Sequence, residues 1–319
     1  MPMTRGEFWR LSYRARRYLS HLSVDELAKR SQDVLANVSI LTPQGQIGLR
    51  SPKETIGYPW MELWTHIIEE FGSREMGMPP DILDPETIPN PTAPIPAKGF
   101  LESQGLKKEL SGCLVKYGKR SWLTRTLAKG EWRISPASYY SDATLSKARR
   151  DSELEFHIRA ANLEKTSKPV EGMEGQYYHV LKDVFAIDIK AATNYYLVCL
   201  ARGLIYRMFD DFDADACLII HNEDEFVRRM LRAFAAINPR WFGTFKAVDY
   251  IDPCMPRLPI DVHFAKHFRY SYQEEVRFVW TPLSPSLAKL SQFTINLGPI
   301  DDICELLLLN GKEFAMAGG

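Results

Sequence analysis

The chain has 319 residues, 45% apolar, 25% charged and 12% aromatic, the balance of a soluble globular protein with room for one large domain or two ordinary ones. Lys+Arg and Asp+Glu both total 40, so the molecule as a whole is not drawn to nucleic acid or an anionic membrane, while a local basic patch remains compatible. Cys113, Cys199, Cys217, Cys254 and Cys304 are odd in number and dispersed, without a Cys-x-x-Cys pair, which argues against a disulfide framework or thiolate zinc site and fits a reducing cytoplasm; no apolar run approaches a membrane span.

In chain order, the arginine-rich start (Arg5, Arg10, Arg14, Arg16, Arg17) carries Glu7, Phe8, Trp9 and Tyr13 and reads as an ordinary helix rather than a targeting segment. Ser23 and Glu26 form a capping box ahead of a stripe of Leu27, Val34, Leu35 and Val38. Trp60, Leu63, Trp64, Ile67, Ile68 and Phe71 recur at helical spacing between Pro59 and Gly72, which predicts a helix packed on a core. Residues 79–97 hold seven prolines, which exclude a helix or central strand and mark a linker. We therefore divide the chain into a helical region (1–78), a linker (79–97) and a second region (98–319). There, strands are expected at Gly130–Ser135, Tyr195–Ala201 and Ala216–Ile220, a turn at Ser138–Asp142, a helix capped by Asn222 over Asn222–Ile237, and an apolar run at Ile303–Leu309. Strands at irregular spacing predict an α+β fold rather than a doubly wound parallel sheet.

Phosphate-loop, dinucleotide-fold and Gly-x-Ser-x-Gly patterns are absent. Asp211, Asp213 and Asp215 lack the glycine and terminal glutamate of a calcium loop, and His263 and His267 lack a zincin glutamate, so no metal site is expected.

The most informative stretch is Phe268–Trp280. Aromatic and branched residues at alternate positions predict one continuous strand, with Arg269, Gln273, Glu275 and Arg277 on its polar side. That row either decorates an exposed or edge strand against sheet-to-sheet pairing or belongs to a polar site. Lys266…Tyr272-Gln273-Glu274-Glu275-Val276-Arg277-Phe278 is similar to the closing Lys…Glu-x-Glu-Trp-Arg motif of a large uncharacterised bacterial family found beside phage-defence genes. That family in turn resembles the ADP-ribosyltransferase toxin superfamily. Gln273-x-Glu275 fits the closing pair, Arg133 in Gly130-Glu131-Trp132-Arg133 fits the opening arginine, and Tyr139-Tyr140-Ser141-Asp142 stands where the family has an aromatic turn. Val198-Cys199-Leu200-Ala201 departs from its hydroxyl-rich middle strand, which moves any role there to Tyr195 or Tyr196. The likeness spans roughly residues 110–285.

What the resemblance implies is a mixed-sheet domain like that of the ADP-ribosyltransferases after the helical N-terminal region, and an NAD-dependent ADP-ribosyltransferase, a toxin or phage-defence effector acting on an unidentified macromolecule, with NAD as substrate. Glu275 would hold a ribose hydroxyl and favour the developing cation, and Gln273 would orient the acceptor. Arg133 would meet the pyrophosphate or ribose, and Tyr139, Tyr140 and Tyr196 would contact NAD. Glu275→Gln is expected to remove catalysis and leave the fold intact. The alternatives are a non-catalytic binding module on the same scaffold and a nucleic-acid-processing protein with a basic groove at Arg125, Lys147, Arg149 and Arg150.

Overall fold

The computed structural model describes residues 3–42, 46–50, 60–82, 110, 112–146, 148–285 and 289–308; most of the proline-rich stretch, residues 83–97, lies outside them. Helices α1 (Arg5–Arg16), α2 (Val24–Val38) and α3 (Trp60–Ser73) open the chain, with a small hairpin of β1 (Ser39–Leu41) and β2 (Ile47–Leu49) after α2. Thr4 with Glu7, and Ser23 with Glu26, form complete capping boxes, each side chain answering the other residue's backbone N–H. The three helices bury Leu27, Val34, Val38, Trp60, Leu63, Ile67 and Phe71 in one cluster. Phe268, from far along the chain, joins this cluster and stacks on Trp60 at 5.9 Å.

The remainder is built on an eight-stranded sheet, giving the α+β fold. Its elements are β3 (Leu114–Gly118), α4 (Arg120–Lys129), β4 (Glu131–Pro136), a 3-10 turn (Ala137–Ser141), a long hairpin of β5 (Glu155–Pro169) and β6 (Tyr177–Lys190), β7 (Tyr196–Arg202), α5 (Arg207–Asp211), β8 (Ala216–Ile220), α6 (Glu223–Ile237), β9 (Trp241–Ala247), β10 (Asp249–Ile251), β11 (Ala265–His267), β12 (Glu275–Pro282), β13 (Phe293–Asn296) and β14 (Cys304–Leu308). The order runs β13-β4-β7-β3-β8-β14, and β12 and β9 extend from the other edge of β7. Every pairing in this sheet is antiparallel, and the parallel pairing lies between β10 and β11. Helix α6 covers one face with Phe226, Met230 and Phe234, which pack against Phe278, Trp280 and Trp132. Among the described residues no helix is long and apolar enough to cross a membrane.

Phe268–Trp280 is not one strand. Phe268–Gln273 forms a 3-10 turn, Glu274 takes a left-handed conformation at φ 45°, and only Glu275 onward is extended. The physical reason is α2: the Asn37 amide donates to the Phe268 and Arg269 carbonyls and accepts from the Tyr272 N–H, closing the segment into a turn. The aromatic alternation of 268–272 thus reports a buried turn between two packed layers. Nor is the polar row exposed. Strand β12 lies between β7 and β9 with Glu275 through Trp280 all buried, so the edge-strand reading falls.

Candidate active site

A fault in the sheet creates the site. Along one edge, β7 pairs in unbroken register with β12 from Tyr196 to Ala201. Along the other it meets two strands, β4 at Tyr196 and Leu197 and β3 at Ala201 and Arg202. Between them Val198, Cys199 and Leu200 have no strand partner on that edge among the described residues, because β3 and β4 diverge. A buried carbonyl without a partner is costly, and here Lys116 Nζ donates to the Cys199 carbonyl at 2.9 Å, across the gap. The cleft thus formed is a cavity of about 710 Å3, within the span of roughly 300–1,000 Å3 typical of small-molecule sites.

Glu275 stands at the inner wall. Its Oε2 accepts from Lys266 Nζ at 2.6 Å and its Oε1 from Arg277 Nε at 2.5 Å. Arg277, fully buried, also donates to Glu153 Oε1 at 2.9 Å. Burial alone would raise the Glu275 pKa, but Arg277 and then Lys266 outweigh it and hold the carboxyl well below the usual carboxylate range. Burial pushes the Glu153 carboxyl up, against the pull of Arg277. Gln273 is fully engaged: its Oε1 accepts from Lys266 at 2.9 Å and its Nε2 donates to the Ala148 carbonyl at 2.9 Å. It reaches Glu275 through Lys266, not as a neighbour across one pleat.

Further cations line the cavity. Helix α4 ends at Gly130, φ 66°, where an added Cβ would sit 1.9 Å from the Gly298 carbonyl oxygen; only glycine permits this close approach. The turn sends the chain into β4 and brings the exposed Arg133 guanidinium to 4.4 Å from the centre of the Trp122 ring. Lys116, Arg133 and Arg149 all line the cavity, and none is ion-paired to a carboxylate among the described residues. Burial lowers the Lys116 pKa, and Arg149 and Arg133 add to it, against the opposing influence of the Cys199 and Glu275 side chains. Tyr139 and Tyr140 complete the lining, edge to face at 5.5 Å.

The structure therefore brings Arg133, Tyr139, Tyr140, Gln273 and Glu275 to one cavity. Tyr196 does not join them. Its side chain projects from the other face of β7 into the α6 core, touching Phe234, Trp241 and Phe293, with its hydroxyl on the Ser291 carbonyl at 3.2 Å. Tyr195 is buried too, its hydroxyl on the Glu153 carbonyl at 2.7 Å. Sequence reasoning missed Lys116 and Glu153. A lysine inside the apolar run Leu114-Val115-Lys116-Tyr117 was a legible signal; Glu153, in an irregular segment, left none.

Comparison with protein-family models, with curated proteins and with solved structures finds no match to this chain.

Proposed function

We propose that this protein is an NAD-dependent ADP-ribosyltransferase that modifies a macromolecule, a toxin or defence effector. The observation that carries the reading is the convergence of Arg133 and Glu275, 142 positions apart by their numbers, on the lining of one cavity between splayed strands. The cations left without carboxylate partners suit the diphosphate of NAD, since guanidinium forks match anionic oxygens. Tyr139 offers a ring edge for a planar heterocycle.

In the proposed reaction the bond between nicotinamide N1 and ribose C1′ breaks and its electron pair leaves with neutral nicotinamide. An acceptor oxygen or nitrogen bonds to C1′ and its proton passes to solvent. Glu275 stays ionised at neutral pH and has lone pairs not used by Lys266 and Arg277, with which it would hold a ribose hydroxyl. Two adjacent cations temper its charge, so it orients more than it stabilises the cationic transition state. Gln273 is a positioning residue that fixes Lys266. Nicotinamide release by wild-type protein, reduced in Arg133→Ala at limiting NAD, supports the reading; NAD that neither raises the melting temperature nor is cleaved ends it.

A second reading has its own observation. Both Glu275 oxygens are neutralised by buried cations, and the middle strand offers Cys199 where hydroxyls were expected. This favours a module that binds the dinucleotide without cleaving it, and its signature is NAD-dependent thermal stabilisation with no nicotinamide release.

A further inference from the structure

The mouth of the cavity carries a feature that NAD binding does not use. Trp122 lies on α4, whose inward side buries Leu123, Thr126 and Leu127, yet Trp122 itself is 56% exposed. One face of the indole is covered by Arg133. Lys119, the extended residue that caps α4, and Arg125, three residues beyond Trp122 on the helix, flank the ring in sequence. Both line the same cavity, as does Arg149. Lys119 pairs with Asp213 at 2.7 Å and Arg125 with Glu131 at 2.6 Å, with the lysine 48% and the arginine 66% exposed. Such solvent-facing pairs contribute little and are readily exchanged for another anion. Arg149 and the neighbouring exposed Arg150 make no side-chain ion pair among the described residues.

We propose that this mouth binds a single strand of nucleic acid, with a base stacked on Trp122 and the strand's phosphates on Lys119 and Arg125. Resting on the transferase reading, we take that strand to be the acceptor. Charge complementarity favours a polyanion: Lys119 and Arg125 flank the indole in solvent-facing pairs that another anion can replace, near Arg150, which has no side-chain ion pair among the described residues. An exposed indole between cations is the arrangement that holds single strands, where every base offers a stacking face. The position of Trp122 in the lining of a cavity favours a splayed base over a stacked duplex. In the transfer step a base nitrogen or a hydroxyl oxygen of the strand would bond to C1′ of the ribose, releasing nicotinamide and a proton.

The test is fluorescence anisotropy of a labelled single strand of about 12 nucleotides with the full chain, without NAD, at about 50 and 200 mM salt. Binding that weakens with salt, falls about tenfold or more in Trp122→Ala and returns largely in Trp122→Phe supports the proposal. The Lys119→Ala/Arg125→Ala double variant, in which Trp122 is untouched, should lower both the affinity and its salt dependence. Equal affinity of wild type and Trp122→Ala, or equal affinity for duplex and single strand, overturns it. The NAD-induced rise in melting temperature is read separately. Stabilisation by NAD without strand binding removes the nucleic-acid acceptor and leaves the transferase; strand binding without any response to NAD keeps the surface and removes transfer.

Discussion

Arg30 of α2 and Asp252, which follows β10, form a bidentate ion pair across 222 positions of sequence, at 2.8 and 2.6 Å, with both side chains buried. The helical region is therefore joined to the sheet by charge as well as by apolar packing. Around this pair, Asn37 holds the turn that leads into Gln273 and Glu275, and Arg207 Nη1 donates to the Ala36 carbonyl while its guanidinium lies 4.0 Å from the centre of the Tyr272 ring. The N-terminal helices thus shape the inner wall of the cavity without lining it.

Arg30→Met should destabilise the protein by about 3–5 kcal/mol, because it leaves Asp252 buried without its counter-charge. Adding Asp252→Asn should return much of the loss. Denaturant titration of the two single variants and the double variant measures the coupling directly.

Glu275→Gln no longer looks benign. The carboxylate answers two buried cations, so the isosteric amide leaves Lys266 and Arg277 short of charge and should cost about 3 kcal/mol or more of stability. Thermal unfolding checks it, and activity of this variant is interpretable only after correction for the folded fraction. A melting temperature equal to wild type would mean that the ion pairs contribute nothing.

Arg133→Ala and Tyr196→Phe separate the two faces of the sheet. Arg133 is exposed, so its removal should leave stability nearly unchanged and weaken NAD binding about tenfold or more, the size of a lost charge-assisted hydrogen bond. Tyr196→Phe loses only the hydroxyl on the Ser291 carbonyl and should leave NAD affinity unchanged. Calorimetric titration of both variants with NAD reads the contrast.

His66 gives the helical region a dependence on pH. Burial, then the nearby Arg30, pushes its pKa down from 6.5 to about 4, and its ring stacks on Tyr13 at 5.1 Å. The unfolded imidazole takes a proton near 6.5 and the folded one only near 4, so the unfolded chain binds more protons in that window. The His66 contribution is complete above pH 6.5 and is lost as pH falls toward 4. His267, lowered to about 3, acts in the same direction, whereas Asp33, raised to about 6, opposes it. Subtracting the stability profile of His66→Gln from that of wild type isolates one group, with a slope of at most about 1.4 kcal/mol per pH unit; parallel profiles would refute the assignment.

Local periodicity made much of the fold legible. The Trp60–Phe71 stripe, the Ser23 cap, the apolar Ala216–Ile220 strand and the Asn222 cap all lie where spacing placed them. What failed was the element whose conformation is imposed from a distance: 268–273 carries a strand's alternation, but Asn37 of α2 bends it into a turn. The site was half legible for the same reason. Arg133, Glu275 and the tyrosine pair sit in recognisable local patterns. The side of β7 on which Tyr196 falls, and the lysine that spans the gap in the ladder, depend on how β3 and β4 diverge, and no short window of sequence encodes that divergence.

Because the cleft arises from backbone divergence rather than from small side chains, its existence is insulated from mutation. Substitutions along its walls can retune polarity, reach and choice of guest, yet closing it would demand that two strands slide together and rebuild their rungs against β7. A lineage carrying this scaffold can therefore abandon one ligand and adopt another while the receptacle itself persists.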